Sequence, residues 1–241
     1  MRRSTPGVMT KDVMLDERIA RAEVHEPRRV IELLEPLVGE ARRARLKEVI
    51  GRRIGSVAVL LDAPYDPHNG AAVVRTSEAF GVQRLHVVER THGFLAAASV
   101  ARGAHKWIDL IRWRDPVACA DTLAAAGFEL VAAEAEGALV PEDLATIPRF
   151  ALVLGNERQG IGPELRARCA RSVRVPMRGF VESLNLSVTT AVLLAAATRG
   201  REGDLEPEAR ERLYARGLYF SVQHADDVLI VGDQQGPTGP R

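Results

Sequence analysis

Residues 150–162 of the 241-residue chain read FALVLGNERQGIG. The five apolar residues from Phe150 to Leu154 are typical of a strand that is buried on both faces, and the polar, glycine-rich stretch after them predicts a turn into a helix near Pro163. Glycine in such a turn lets the backbone approach a ligand closely. The spacing matches neither a dinucleotide-binding fingerprint nor a Walker A loop, so neither of those phosphate sites is predicted.

Apolar runs of the same kind recur on both sides of this stretch, and helical patterns alternate with them. The predicted strands span residues 57–61, 85–88, 128–133, 150–154 and 173–176. The predicted helices span residues 69–80, 116–126 and 186–198, and Asn69 is a suitable N-cap for the first of them. Strands that are apolar on both faces and alternate with helices predict an α/β fold with a mostly parallel sheet and helices on both faces.

Segments of different composition flank this α/β region. Apolar residues between residues 27 and 53 fall at helical spacing with a break near Pro36 or Gly39, and residues 205–230 predict a further helix with an irregular end. We therefore predict an unstructured segment at residues 1–12, a helical extension at 13–53 and the α/β domain at 54–200. A second helical extension at 201–231 and an unstructured tail at 232–241 follow it.

Charge is balanced over the whole chain but not along it. Lys and Arg number 33 and Asp and Glu number 32, which gives a net charge of +1. Basic residues are concentrated between Glu40 and Arg53 and again between Arg158 and Arg178. Such clusters suit a surface that contacts phosphate groups, but solvated helix faces show the same pattern. The charge distribution alone therefore does not predict a nucleic-acid partner.

The cysteine content and the hydropathy exclude several classes of protein. The two cysteines, Cys119 and Cys169, lie far apart, which argues against a disulfide framework and favours a reducing, cytoplasmic location. No apolar run approaches the ~20 residues that span a bilayer, so a soluble protein is expected. The histidines lack the spacing of a metal site, and there is no G-x-S-x-G pattern for a serine nucleophile.

Three polar loops follow predicted strands, at residues 62–75, 154–162 and 176–187. Because ligand sites in open parallel sheets lie beyond the carboxyl ends of the strands, we expect these loops to form one site. Each polar residue of these loops also has a simpler interpretation when it is taken alone. Asn69 can be a plain N-cap, and so can Ser183 or Asn185. Arg75 can form a surface ion pair, and Glu157 can be an exposed charge. The prediction of a site therefore rests on the convergence of the loops.

In these loops the sequence resembles the SpoU–TrmH branch of the SPOUT methyltransferases. The resemblance extends from about Glu48 to Thr198 and rests on three stretches in order: Asn69, Arg75 and Gly81; Gly155, Glu157 and Gly160; and Pro176, Met177, Gly179, Ser183, Leu184, Asn185 and Ser187. Residues 103–107, GAHKW, are also similar to a segment of the family members that methylate a guanosine ribose in the D-loop of tRNA.

The resemblance implies a domain whose C-terminal part forms a trefoil knot, a homodimer, and methyl transfer from S-adenosylmethionine to the ribose 2′-hydroxyl of guanosine 18 in tRNA, with no metal. The implied catalytic residues are Asn69, Arg75, Glu157, Ser183 and Asn185. The implied cofactor-binding residues are Ala133, Leu154, Gly155, Asn156, Val175, Met177, Ser183 and Leu184. Some relatives carry a hydroxyl residue at the position of Ala133, so one cofactor contact differs here.

Two further expectations concern chemistry and RNA. A guanidinium stays protonated in proteins, so we expect Arg75 to act as a cation that stabilises the developing alkoxide and binds the adjacent phosphate, rather than as a base. RNA should be recognised through its folded shape, its phosphates and its 2′-hydroxyls. The basic residues that we assign to RNA binding are Arg42, Arg43, Arg45, Lys106, Arg158 and Arg178.

Three alternatives remain open from the sequence. The first is 2′-O-methylation of ribosomal RNA by a SpoU-type enzyme, against which the segment containing Lys106 and Trp107 favours tRNA. The second is a non-catalytic RNA-binding member of the fold, which the presence of all five implied catalytic residues disfavours. The third is an unrelated α/β enzyme that uses a nucleotide, and the sequence lacks the phosphate-binding loop that such an enzyme would need.

Overall fold

The computed structural model describes residues 17–89 and 103–234. These residues divide into two compact units, the first made of residues 54–89 and 103–202 and the second of residues 17–53 and 203–234. The unstructured segment that was predicted at residues 1–12, and residues 235–241 of the predicted tail, lie outside the described residues. Within the described ranges, no helix combines the length and the hydropathy needed to cross a membrane.

The chain alternates strands and helices throughout its central part. In chain order the helices are α1 (Glu17–Val24), α2 (Pro27–Leu34), α3 (Glu40–Gly51), α4 (Pro67–Ala79), α5 (Pro116–Ala125), α6 (Pro163–Arg166), α7 (Leu186–Ala197), α8 (Pro207–Ser221) and α9 (Ala225–Gln234). The strands are β1 (Ile54–Asp62), β2 (Val82–Val88), β3 (Asp109–Trp113), β4 (Glu129–Ala133), β5 (Phe150–Leu154) and β6 (Arg171–Val173). Short 3-10 helices lie at Glu35–Leu37, Ala104–Lys106 and Pro141–Thr146.

The first unit is built on one six-stranded sheet in the order β3-β2-β1-β5-β4-β6. Every neighbouring pair of strands is parallel. All nine residues of β1 are buried, and alternate ones belong to different cores: Val57, Val59 and Leu61 join the core that includes residues of α4 and α7, whereas Ala58 and Leu60 join the core that includes α5. The predicted α/β class with a mostly parallel sheet is therefore confirmed.

Several predicted boundaries of the first unit need correction. The last strand is β6 at 171–173 instead of 173–176, because its pairing with β4 ends at Val173. Strand β3 was not predicted, since its sequence DLIRW mixes charged and apolar residues and most of it is only half-buried. The N-cap of α4 is Asp66, whose Oδ1 accepts a hydrogen bond from His68 N at 2.8 Å. Pro67 starts this helix two residues earlier than predicted, so Asn69 lies within it.

The second unit is helical. The predicted break between the first helices is observed as a 3-10 turn after α2, with Gly39 as the N-cap of α3. The Tyr214 hydroxyl donates to Glu35 Oε1 at 2.6 Å, and Lys47 lies 3.0 Å from the same atom. The Tyr214 hydrogen bond, followed by that of Lys47, lowers the pKa of Glu35. The region predicted as one helix with an irregular end forms α8 and α9, and residues 232–234 are helical although the tail was predicted to begin at 232.

A buried histidine in the sheet makes the stability of the first unit sensitive to pH. Trp113 Nε1 donates a hydrogen bond of 3.0 Å to His86 Nδ1, and the two rings are stacked with centroids 6.0 Å apart. A proton added to His86 Nδ1 would point at the N–H group of Trp113, which could then no longer donate to this nitrogen. Burial, and secondarily the charge of Arg84, lowers the pKa of His86 from 6.5 to about 4. The unfolded chain therefore binds this proton at a higher pH than the folded protein does.

We expect this histidine to stabilise the fold above pH 6.5 and to lose that contribution as the pH falls towards 4, with a loss of about 3 kcal/mol. His86→Asn keeps an acceptor for Trp113 but does not titrate, so it is the matched variant. Urea denaturation at pH 7 and at pH 4 should show that the stability advantage of the wild-type protein over the variant shrinks by that amount. An advantage that stays constant between the two pH values contradicts the prediction.

Candidate active site

The loop after β5 is a closed turn that presents Glu157. Asn156 and Gly160 exchange two backbone hydrogen bonds of 3.1 and 3.0 Å. The Asn156 side chain accepts hydrogen bonds from the backbone N–H groups of Arg158 and Gln159 at 2.9 and 2.7 Å. A Cβ on Gly155 would lie 2.1 Å from the carbonyl carbon of Gly160, so the turn closes only with glycine at 155. These bonds hold the backbone on both sides of Glu157.

A second anchor joins this loop to the end of β1. Asp62 is only 2% exposed, and its Oδ2 accepts a hydrogen bond of 2.6 Å from Gly162 N. A carboxylate that accepts from a backbone N–H forms a short, strong hydrogen bond. Asp62 therefore fixes the far end of the glycine-rich loop against the strand that leads into the first polar loop, and no pattern in the sequence indicated this pairing.

Three of the predicted catalytic side chains are joined in one hydrogen-bonded chain, which we call the polar network. Asn69 Nδ2 donates to Glu157 Oε1 at 2.6 Å, and Asn185 Nδ2 donates to Asn69 Oδ1 at 2.9 Å. Asn185 also caps α7, since its Oδ1 accepts from Ser187 N at 2.9 Å and from Ser187 Oγ at 2.6 Å. The other carboxylate oxygen of Glu157 accepts from Tyr65 N at 3.3 Å. The three loops thus meet as predicted.

A cavity of about 550 Å³ lies beside this network, beyond the carboxyl ends of β4, β5 and β6. Its volume is in the range of small-molecule binding sites. Glu157 and Asn185 of the polar network contribute to its wall. The wall also contains every residue that the sequence assigned to the cofactor: Ala133, Leu154, Gly155, Asn156, Val175, Met177, Ser183 and Leu184.

The charges around the cavity are mainly negative. Glu134, Glu157 and Glu182 line it, against Arg158 as the one lining cation among the described residues. Glu134 also forms an ion pair of 2.6 Å with Arg166. Neither Glu134 nor Glu182 was singled out in the sequence. Their positions, directly after β4 and within the third polar loop, were the available signal.

The remaining predicted catalytic residues are placed differently. Ser183 lines the cavity but has no side-chain hydrogen bond to the network in the described part of the chain. Arg75 is exposed on α4, does not line the cavity, and makes no side-chain hydrogen bond or ion pair with the described residues. Asn69 and Arg75 are six residues apart, which in a helix separates them by roughly 120° around the axis and about 9 Å along it. The structure therefore does not join Arg75 to the network by contact.

The residues assigned to RNA binding lie on both units. Arg42, Arg43 and Arg45 are on α3 of the second unit, where Arg42 Nε donates to Ser221 Oγ at 3.1 Å and Arg45 pairs with Glu48 at 2.8 Å. In the first unit, Lys106 ends a 3-10 helix, whereas the exposed residues Arg158 and Arg178 lie in the loops after β5 and β6.

Other reactive groups do not extend the site. Both cysteines are buried free thiols. Burial raises the pKa of Cys169 to about 11 and that of Cys119 further, so both are poor nucleophiles at neutral pH. In the chain as described, no group of three or more His, Cys, Asp or Glu side chains is arranged to hold a metal ion. The polar network and its cavity are therefore the candidate site.

The sheet, the cavity and the polar network define a parallel α/β protein with a small-ligand site at the carboxyl ends of its strands. The chain belongs to the SpoU rRNA Methylase family, whose model matches residues 56–195, more than half of the chain. The family resemblance of the three loops is thereby confirmed.

Named relatives and solved structures agree with this membership. A tRNA (guanosine(18)-2′-O)-methyltransferase of Thermus thermophilus is 34% identical over 74% of this chain and 96% of its own length. The crystal structure of the Aquifex aeolicus TrmH/SpoU tRNA modifying enzyme superposes with a TM-score of 0.67 at 30% identity, over 76% of this chain and 98% of that one. The SpoU methyltransferase AviRb of Streptomyces viridochromogenes, in complex with the cofactor AdoMet, gives a TM-score of 0.57 at 26% identity over 63% of each chain.

Proposed function

We propose that this protein is a methyltransferase that transfers a methyl group from S-adenosylmethionine to a ribose 2′-hydroxyl of tRNA, at guanosine 18. The observation that carries the proposal is the polar network of Glu157, Asn69 and Asn185 at the rim of the cavity. The Thermus relative that carries this activity in its name is 34% identical to this chain over 187 residues.

The cavity suits S-adenosylmethionine in size and charge. Apolar side chains, among them Leu154, Val175 and Leu193, provide walls against which an adenine ring can pack. The carboxylates of Glu134 and Glu182 suit a ligand that carries a sulfonium and an ammonium group. Backbone groups around Leu154, Gly155 and Asn156, together with Val175, Met177, Ser183 and Leu184, would hold the cofactor. When bound, S-adenosylmethionine supplies a methyl group that its sulfonium already activates.

The network orients the ribose. The Asn69 and Asn185 amides each use one N–H within the network and keep a second N–H for ribose oxygens. Glu157 fixes the Asn69 amide, and Ser187 fixes that of Asn185, so their geometry is set before the substrate arrives. Arg75, exposed on α4, binds the adjacent phosphate and stabilises negative charge that develops on the 2′-oxygen. The hydroxyl proton leaves to a phosphate oxygen or to water.

Methyl transfer from labelled cofactor to unfractionated tRNA and to ribosomal RNA tests the proposal directly. We expect the label in tRNA, at the 2′-oxygen of guanosine 18 when the modified ribose is mapped. Label confined to ribosomal RNA would mean that the substrate is ribosomal RNA instead of tRNA, with the same methyl-transfer reaction. RNA binding without transfer, combined with the absence of cofactor binding in calorimetry, would identify a non-catalytic member of the fold and overturn the proposal.

The arginines of α3 provide a separate test of the RNA surface. We expect the combined charge reversal of Arg42, Arg43 and Arg45 to weaken tRNA binding and to reduce the slope of log affinity against log salt by as much as about 3, roughly one for each phosphate that is no longer neutralised. Filter binding at several salt concentrations measures both quantities. Arg28→Glu, an exposed change on α2, is the control for charge alone. Unchanged tRNA affinity in the triple variant would relocate the RNA surface away from α3.

The proposal extends to the assembly and the topology that the resemblance implies. A homodimer is supported by exposed apolar residues of the third loop and of α7, namely Phe180, Val181, Val188 and Val192. Analytical ultracentrifugation would measure the mass of the assembly. A trefoil knot is supported by the path of the chain, which returns from β6 at the edge of the sheet to α7, a helix that packs on α4 beside the central strands. The tRNA substrate and the free thiols favour a cytoplasmic location.

A further inference from the structure

Tyr65 and Arg158 form a stacked pair next to the polar network. The guanidinium carbon of Arg158 lies 3.6 Å from the centroid of the Tyr65 ring. A distance this short places the cation over one face of the ring. Tyr65 was not among the residues predicted for the site, and Arg158 was assigned to RNA binding without a specified contact.

Both members of the pair belong to loops that the network holds in place. Tyr65 N donates to Glu157 Oε2, and Glu157 is the residue before Arg158. Arg158 N donates to Asn156 Oδ1 at 2.9 Å within the closed turn. The backbone of the pair is therefore tied to the same carboxylate and the same turn that position Asn69, so the pair has a defined place relative to the candidate catalytic groups.

The pair is open to solvent although its backbone is fixed. Tyr65 is 59% exposed with the guanidinium over one face, so much of the ring surface remains free for another planar group. The Arg158 guanidinium has no ion pair or side-chain hydrogen bond with the described residues, which leaves its N–H groups available to an external acceptor. Exposed aromatic rings and arginine planes are the surfaces on which proteins stack unpaired bases of RNA.

We propose that Tyr65 and Arg158 together form a stacking platform for a nucleobase of the RNA substrate, at the reacting nucleotide or next to it. This inference rests on the proposed function and adds two positioning residues to it. The Tyr65 ring stacks on the base, and Arg158 braces the ring from the other face and donates to a phosphate or to a base edge. The platform thereby helps to hold the ribose beside Asn69 and Asn185.

The test compares Tyr65→Ala, Tyr65→Phe and Arg158→Ala by filter binding to unfractionated tRNA and by steady-state methyl transfer. We expect Tyr65→Ala to weaken tRNA binding and to raise the KM for tRNA by about 5- to 100-fold, with a smaller change in kcat, because stacking supplies binding energy. Tyr65→Phe should restore both values, and Arg158→Ala should fall between. In the two Tyr65 variants, whose side chain does not line the cavity, cofactor affinity by calorimetry and the melting temperature should match the wild-type protein, which a merely structural role would not leave unchanged.

A matched control lies at the opposite edge of the same sheet. Arg149 is 4.2 Å from the centroid of the Phe128 ring, and both residues precede strands, at their amino ends. Arg149→Ala removes a similar pair and should leave tRNA binding unchanged. Wild-type tRNA affinity in Tyr65→Ala, or a failure of Tyr65→Phe to restore binding, would overturn the platform. Absence of methyl transfer by the wild-type protein would overturn the proposed function instead, since tRNA affinity is measured without turnover.

Discussion

Replacing Arg75 with alanine should lower the rate of methyl transfer to tRNA by about 100- to 1,000-fold, the usual cost of removing one group that stabilises a developing oxyanion. Arg75 is exposed and has no side-chain partner among the described residues, so its guanidinium is free to meet the substrate. It does not line the cavity, so cofactor affinity should not change. Single-turnover transfer from labelled cofactor measures the rate, and calorimetry measures the affinity.

Arg75→Lys separates charge from geometry. A lysine keeps the positive charge but lacks the planar fork that contacts two oxygens at once, so its rate should stay well below that of the wild-type protein. Arg199→Ala is the matched control, since this exposed arginine follows the carboxyl end of α7, whereas Asn185 caps the amino end. Near-normal turnover of Arg75→Lys with unchanged RNA affinity would show that the fork is not required, and the proposed role would be wrong.

Replacing Arg201 with alanine should lower the free energy of unfolding of the first unit by about 3–5 kcal/mol, because several hydrogen bonds to one charged group are removed together. Its guanidinium donates to Ala197 O at 2.8 Å in the last turn of α7, to Pro148 O at 2.9 Å and to Leu144 O at 3.2 Å. It also donates to the carbonyl of Ile147. One side chain thus joins the end of α7 to the segment that leads into β5.

Urea denaturation followed by tryptophan fluorescence measures this effect, because both tryptophans, Trp107 and Trp113, lie in the first unit. Arg199→Ala is again the control: it removes an exposed arginine two residues away and should change stability by less than about 0.5 kcal/mol. A loss below about 1 kcal/mol in Arg201→Ala would mean that water replaces the guanidinium at these carbonyls, and the structural role of Arg201 would be overestimated.

The strands were predictable to the extent that both of their faces are buried. Strands β1 and β5 are buried at every position, and a continuous apolar run marks such a strand in any sequence. Strand β3 has a half-buried, partly charged sequence and therefore lacks this mark. The start of α4 was misplaced because Asp66 and Asn69 are both good N-caps, and only the position of Pro67 at the first helical turn favours the former.

The sequence by itself determined the α/β class and the three polar loops, because hydrophobic pattern and loop chemistry depend on neighbouring residues. Its family resemblance assigned eight of the residues that line the cavity to the cofactor, but it named neither Glu134 nor Glu182. Only the tertiary structure decided which of those residues touch. Asn69 reaches Glu157 across 88 residues and Asn185 across 116, and such pairings follow from the order of the strands. The same order places Tyr65 against Arg158 and leaves Arg75 outside the network, since side-chain contacts depend on how the loops meet in space.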